Sequence, residues 1–432
     1  MPVFSARLFN TTKQKTDAAI FLCALLACLV PRYIATFKLH IGLNISLFTI
    51  ATLITWLVYC RRIYFKPRID SLFLMLWFMF IVLSVWQVKM IGVWAYYVIW
   101  SLTAILFQQV LIERADRHTY FVIIKAFCFA MMVHILIGLY EITHHTYLFD
   151  NPIPRIDIAT RLYGNVAIGI FHNLNDYAVF LATMLPFPLL MFLKSKNILS
   201  KVYFASLCCT AVYLINLSES RGALLAVSLI IFVIIVQFAS RNAVTSLLAC
   251  VLFAIVCIFV YINPSLNSSV KEFLNVNSIS FDAAEGSDYV RVNLIRNGWY
   301  FLSETHGLGV GSGNMYWWLS NRAIYDVADI KFMHNWYFEV LFTFGVVFFI
   351  IYMYFHIHTI VKLVHYSKVE RDDFSISKCF LVCFLAFSIA SVSSSSNVYS
   401  EWVWMYLALY ASYTQYLDTK TIAIIESSDL DE

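Results

Sequence analysis

Apolar positions in this chain do not alternate with polar ones; they run on unbroken. Runs of about 20 apolar residues recur along it, the length of helix that crosses a hydrocarbon core of roughly 30 Å. A closed barrel would need alternation at every second residue, so helices are left as the way to satisfy the backbone in lipid. The runs predict about a dozen spans, at 17–37, 41–60, 69–88, 91–112, 119–140, 166–193, 199–217, 221–240, 243–263, 333–358, 376–396 and 400–417. Arg7, Lys13 and Lys15 precede the first run, and no small-residue cleavage site follows. That start reads as an uncleaved first helix, not a removed leader.

Two segments between spans are long, 141–165 and 264–332. Only the second is extended and hydrophilic. It is not low in complexity: Trp299, Trp317, Trp318 and several tyrosines predict a folded cap on the membrane. Within it Ser287 is placed as a helix N-cap and Gly307 as the stop. Val292, Ile295, Trp299 and Leu302 recur at helical spacing and give one apolar face. The expected architecture is therefore an all-α integral membrane bundle with one large extracytoplasmic loop carrying short helices. Its parts are 1–263 (nine spans), 264–332 (the loop) and 333–432 (three spans and a tail).

Composition agrees. The chain is 61% hydrophobic and only 13% charged, with a mean hydropathy of +0.75. A soluble domain carries about 25% charged residues. The net charge of +4 is small and dispersed, which gives no footprint for nucleic acid. Its distribution is informative. With the N-terminus in the cytoplasm, Arg61, Arg62, Lys66, Arg68, Arg114, Arg117, Lys194, Lys196, Lys201, Arg241, Lys362, Lys368, Arg371, Lys378 and Lys420 all fall inside. Short outside turns hold little beyond Lys38 and Lys89. This positive-inside bias predicts a multi-pass membrane protein with both termini cytoplasmic. The ten cysteines lie in or at the ends of apolar runs, where they read as small apolar filler rather than as disulfides or zinc ligands.

Four polar clusters fall on the outer side. One is Ser218-Glu219-Ser220-Arg221-Gly222, between two spans. Another is Ser287-Asp288-Tyr289-Val290-Arg291, opening the loop helix. A third is Met333-His334-Asn335-Trp336, where the loop re-enters the membrane. The fourth is Phe171-His172-Asn173-Leu174-Asn175-Asp176-Tyr177, at a helix mouth. Each has an ordinary reading as a snorkelling arginine, a solvated face or a helix cap. Each also has a chemical one. An outer surface has no nucleotide pool, so an enzyme there needs a substrate already activated and held in the membrane. A polyprenyl-diphosphate-linked sugar meets that need. It calls for arginines, whose planar fork suits phosphate oxygens, and for a base near the acceptor hydroxyl. The glycine-rich 307–313 stretch lacks a βαβ setting and reads as a tight turn, not a dinucleotide site.

In these clusters the chain resembles the O-antigen ligase and polysaccharide polymerase superfamily, over roughly residues 160–360. The 304–314 and 333–336 stretches are similar to a teichuronic-acid polymerase type within it. The resemblance implies a metal-independent glycosyltransferase without cofactors, moving a glycan from undecaprenyl pyrophosphate to an acceptor hydroxyl. It implies Arg221, Arg291 and His334 as catalytic residues. His172, Asn175, Asp176, Glu219 and Asn335 are candidate substrate contacts. A flippase and a chain-length regulator are candidate partners. Polymerisation of lipid-linked repeats is the leading reading, and ligation of the glycan to lipid A-core or another acceptor is its nearest rival. A flippase or transporter, with Lys125 as its intramembrane charge, and a purely structural subunit are the readings from other classes.

Overall fold

The computed structural model describes residues 2–29, 36–38, 44–60, 69–149, 166–171, 173–239, 287–328, 330–370, 374–394 and 396–428. Helices dominate them: α1 (Pro2–Leu29), α2 (Leu47–Tyr59), α3 (Ile69–Leu83), α4 (Ile91–Glu113), α5 (Arg117–His144), α6 (Leu174–Met184) and α7 (Pro186–Lys194). They continue with α8 (Ile198–Leu217), α9 (Arg221–Ala239), α10 (Ser287–Glu304), α11 (Met315–Asn321), α12 (Trp336–Val369), α13 (Ile376–Ala390) and α14 (Glu401–Ser428). Among the described residues six helical segments are long and apolar enough to cross a bilayer. Shorter apolar helices lie at Leu47–Tyr59, Leu72–Gln87 and Arg221–Val236.

Several boundaries differ from the sequence reading, each for a local reason. A small antiparallel pair, β1 (Thr36–Lys38) and β2 (Asn44–Ser46), stands where the first two spans were expected to end and begin. The rest of the regular structure among the described residues is helical, consistent with an all-α membrane protein. The span expected at 166–193 is two helices: α6 starts only at Leu174, and Pro186 opens α7 after the junction at Leu185. Proline suits a helix's first turn, where its missing N–H is no loss. The span expected at 243–263 and the start of the loop to 286 lie outside the described residues.

Helix α14 is the bundle's centre. Residues 402–415 are all buried, so this helix meets protein rather than lipid and tolerates polar groups that find partners. The Tyr406 hydroxyl donates to Cys383 O at 3.2 Å and Tyr410 to Phe380 O at 2.7 Å. Tyr413 pairs with Ser377 Oγ at 2.8 Å.

Besides these links within the bundle, ion pairs gather at one end of it. There Lys13 meets Asp116 at 2.5 Å, and Lys362 meets Asp70 at 2.5 Å and Asp418 at 2.7 Å. Asp70 is fully buried. The other end holds the loop helices and the connections α3–α4, α8–α9 and α13–α14. The cysteines among the described residues are all free.

Candidate active site

Helix α12 begins with a cap and is then broken. The Asn335 Oδ1 accepts from Tyr337 N at 3.1 Å and Phe338 N at 3.2 Å, satisfying first-turn donors. Asn335, a candidate substrate contact, therefore has its side-chain oxygen engaged in capping. His334, just before it, is half-buried with a left-handed φ of 51°. Gly345 then leaves helical geometry at φ 84°, ψ 175°. The break frees carbonyls, and the glycine-rich stretch takes them: Val310 N donates to Phe342 O and Gly311 N to Thr343 O, both at 2.9 Å. Val346 N donates to Gly307 O at 2.9 Å in return.

The same stretch grips the α3–α4 connection. Gln87 Nε2 donates to Gly309 O at 3.2 Å, and Lys89 N to Asn314 Oδ1 at 2.9 Å. Asn314 Nδ2 donates to Gln87 O at 3.0 Å. The 307–313 stretch turns tightly, as expected, with positive φ at Gly307, Gly309, Gly311 and Gly313, and it also anchors the loop region to α12 and the α3–α4 connection.

Helix α10 carries Arg291, which is half-buried. Farther along, Gly298 lies against the Phe342 ring of α12, and Trp299 meets that ring at 5.4 Å. Asn297 fastens α10 to the chain beyond α11: its Oδ1 accepts from Ile324 N and Tyr325 N, and its Nδ2 donates to Tyr325 O. Arg291's neighbour Val290 and His334's neighbour Met333 pack in one small apolar cluster with Leu294, Leu341 and Phe342. Arg291 and His334 therefore flank the same packed unit.

Arg221 opens α9 and is exposed, as is Glu219 before it. The turn is tight. Glu219 takes a left-handed φ of 52°, and the Ser218 hydroxyl donates to Ile215 O at 2.6 Å. Ser220 is buried and its Oγ lies 3.2 Å from Ser393 Oγ. Gly222 sits so close to the end of α13 that a Cβ there would stand 2.5 Å from Ser393 Oγ and 3.0 Å from Ala390 O.

Ser393 belongs to a polar connection, 391–397, between α13 and α14. Its far end meets α12: Ser396 Oγ donates to Glu339, and Asn397 N donates to the other oxygen of that carboxylate at 3.2 Å. One connection therefore touches both the Arg221 turn and the first turn of α12. Asp176, buried on the first turn of α6, is within electrostatic reach of Glu339. Asn175 stands beside it, its N–H donating to the Asn173 cap at 2.7 Å. Upstream, Glu141 holds the chain entering α6 through Ile168 N at 2.9 Å and Gly169 N at 2.8 Å. His172 lies outside the described residues.

Neither 391–397 nor Glu339 is among the site residues expected from the sequence. The signal was present, a run of serines and an asparagine between two apolar helices. Lys125 is exposed on α5 and so faces away from the bundle interior. Among the described residues no group of three or more His, Cys, Asp or Glu side chains could hold a metal ion.

A family model described as O-antigen ligase matches residues 206–353. That span includes Arg221, Arg291, His334 and Glu339. The chain is 28% identical over 358 residues to the teichuronic acid biosynthesis protein TuaE of Bacillus subtilis (strain 168), covering 79% of this chain and 70% of that protein. The resemblance to the O-antigen ligase and polysaccharide polymerase superfamily is thus borne out. The chain is a multi-pass membrane protein whose residues 206–353 are similar to the O-antigen ligase family and whose wider sequence is similar to a teichuronic acid biosynthesis protein.

Proposed function

We propose that this chain, whose residues 206–353 match the O-antigen ligase family model, is a glycosyltransferase that polymerises undecaprenyl-pyrophosphate-linked repeat units at the outer face of the plasma membrane. In this reading Arg221 and Arg291 bind the donor diphosphate. His334 accepts the proton of the acceptor hydroxyl as its oxygen bonds to the donor's anomeric carbon. The anomeric carbon–oxygen bond to the diphosphate breaks, and the departing diphosphate keeps the electron pair. The arginines stabilise the charge that grows on it. The proton ends on the imidazole, so no metal is needed to generate the nucleophile. Asn175, Asp176 and Glu219, with His172, are the proposed sugar contacts.

The observation that carries the reading is the 391–397 connection. It is hydrogen-bonded at one end to Ser220, beside Arg221, and at the other to Glu339, one helical turn into the element that His334 precedes. The positive-inside pattern supports assigning this end of the bundle to the outer leaflet. The exposed position of Lys125 disfavours a transport path built around it.

Ligation is the second reading, favoured by the description of the matching family. The chemistry is the same and the acceptor differs. The test is purified protein given defined lipid-linked repeats. A ladder of products on the polyprenyl carrier supports polymerisation. Glycan appearing only on an added lipid or protein acceptor supports ligation. Movement of the lipid across liposomes without a new glycosidic bond contradicts both.

A further inference from the structure

We propose that Glu339 is a positioning residue for this transfer, holding the His334 and Arg221 segments in register through the 391–397 connection. The inference rests on the function proposed above and adds a role to a residue that the chemistry itself does not require.

Glu339 is 5% exposed. A carboxylate placed there must be repaid by hydrogen bonds, because burial strips its hydration. An apolar side chain of similar size would fill the space without that cost. The bonds it makes run sideways to another element rather than only into its own helix: Ser396 Oγ and Asn397 N both donate to it. Its own N–H donates to Asn335 O at 2.8 Å, so it sits one turn above the cap that follows His334. The link then continues. Asn397 Nδ2 donates to Ser394 Oγ at 2.8 Å, and Ser393 Oγ meets Ser220 Oγ at 3.2 Å. Gly222, on the other side of Arg221, presses its backbone on Ser393 and Ala390. A chain of short polar contacts thus joins the segment of the proposed proton acceptor to that of a proposed diphosphate ligand, with Glu339 as its one carboxylate anchor on α12.

Such a link matters for rate more than for affinity. A misplacement of about 1 Å between reacting groups costs on the order of 100-fold. Glu339→Gln keeps one accepting oxygen and loses the other. With lipid-linked repeats as substrate, its turnover is expected to fall about tenfold or more, with KM changed by less than about twofold. Ser396→Ala is expected to be milder. Ser396→Ala should cost less in the Glu339→Gln background than it does alone, because both weaken the same link. A second arm needs no catalysis. Ser220→Cys with Ser393→Cys places two thiols in reach of a disulfide, and adding Glu339→Ala is expected to slow its formation by roughly threefold or more.

An unchanged cross-linking rate together with turnover above about half of wild type would overturn the proposal. So would a loss of turnover in Glu339→Gln fully matched by loss of folded protein in thermal melts. If the unaltered protein joins no repeats, the function above fails, and the cross-linking arm alone decides the link.

Discussion

Gly309 and Gly345 meet backbone to backbone: a Cβ on Gly309 would stand 2.5 Å from Gly345 N, and one on Gly345 would stand 2.5 Å from the carbonyl carbon of Leu308. Both have positive φ, 77° and 84°. The helix break and the glycine-rich turn are therefore one device that seats the loop region on the bundle.

Gly345→Ala is expected to destabilise the protein by at least about 1–3 kcal/mol, because the φ/ψ region it occupies is essentially reserved for glycine. Gly309→Ala should do the same by displacing the turn. Thermal melting in detergent checks both. Melting like wild type would mean that the two segments are not held this closely.

Gly222→Ala tests the contact of α9 with the end of α13. A methyl group cannot fit 2.5 Å from Ser393 Oγ. Ser393 Oγ must turn aside or the first turn of α9 must shift, carrying Arg221 with it, and Ala390 O at 3.0 Å leaves little room for the first alone. The expected outcome is a loss of transfer on the order of tenfold, with a smaller effect on melting. Glycan assays on the purified variant decide it.

The opposite end of the bundle offers a test of stability alone. Asp70 is fully buried and takes Lys362 at 2.5 Å, with His358 at 3.4 Å. Asp418 is about one-fifth exposed. Removing one partner of a buried pair costs about 3–5 kcal/mol, since it strands the other charge. Asp70→Ala is therefore expected to lower the melting temperature more than Asp418→Ala. Equal shifts in the two variants would contradict the buried position of Asp70.

Lys13 and Asp116 join α1 to the start of α5, and Asp116 also caps α5 through Thr119 N at 2.7 Å. Partial burial alone would raise the Asp116 pKa. The bonds from Lys13 and Thr119 outweigh it, so the carboxyl titrates below its ordinary value. Its contribution is thus present above the unfolded pKa and is lost as pH falls through the lower folded value. Both side chains are 40% exposed, which makes the ion pair worth only a fraction of about 1 kcal/mol. Asp116→Ala should cost about 1 kcal/mol, mostly from the cap, and Lys13→Met less. Melting at neutral pH and in mild acid checks the order and the sign.

Much of this was legible along the chain. The apolar runs gave most of the helices, because in lipid the length of a span is set by the bilayer. Ser287 opens α10 as expected. The break at Gly345 was hidden because the residues around it are uniformly apolar and only its φ betrays it. Helix α14 read as one more span, though its tyrosines mark it as the enclosed centre. The pairings Gln87–Gly309, Ser220–Ser393 and Glu339–Ser396 join residues far apart in sequence, and nothing local announces them. The capping role of Asn335 Oδ1 is not legible in the sequence, because a cap and a substrate contact call for the same side chain.

The central claim is that Arg221, Arg291 and His334 serve one transfer reaction. The most direct measurement gives purified protein a defined lipid-linked repeat and resolves the products by length, for wild type and for Arg221→Ala, Arg291→Ala and His334→Ala. The expected result is a ladder with wild type and, for each well-folded variant, a loss of at least about 100-fold. A full ladder from any of the three would contradict the assignment of that residue, and a full ladder from all three would contradict the mechanism.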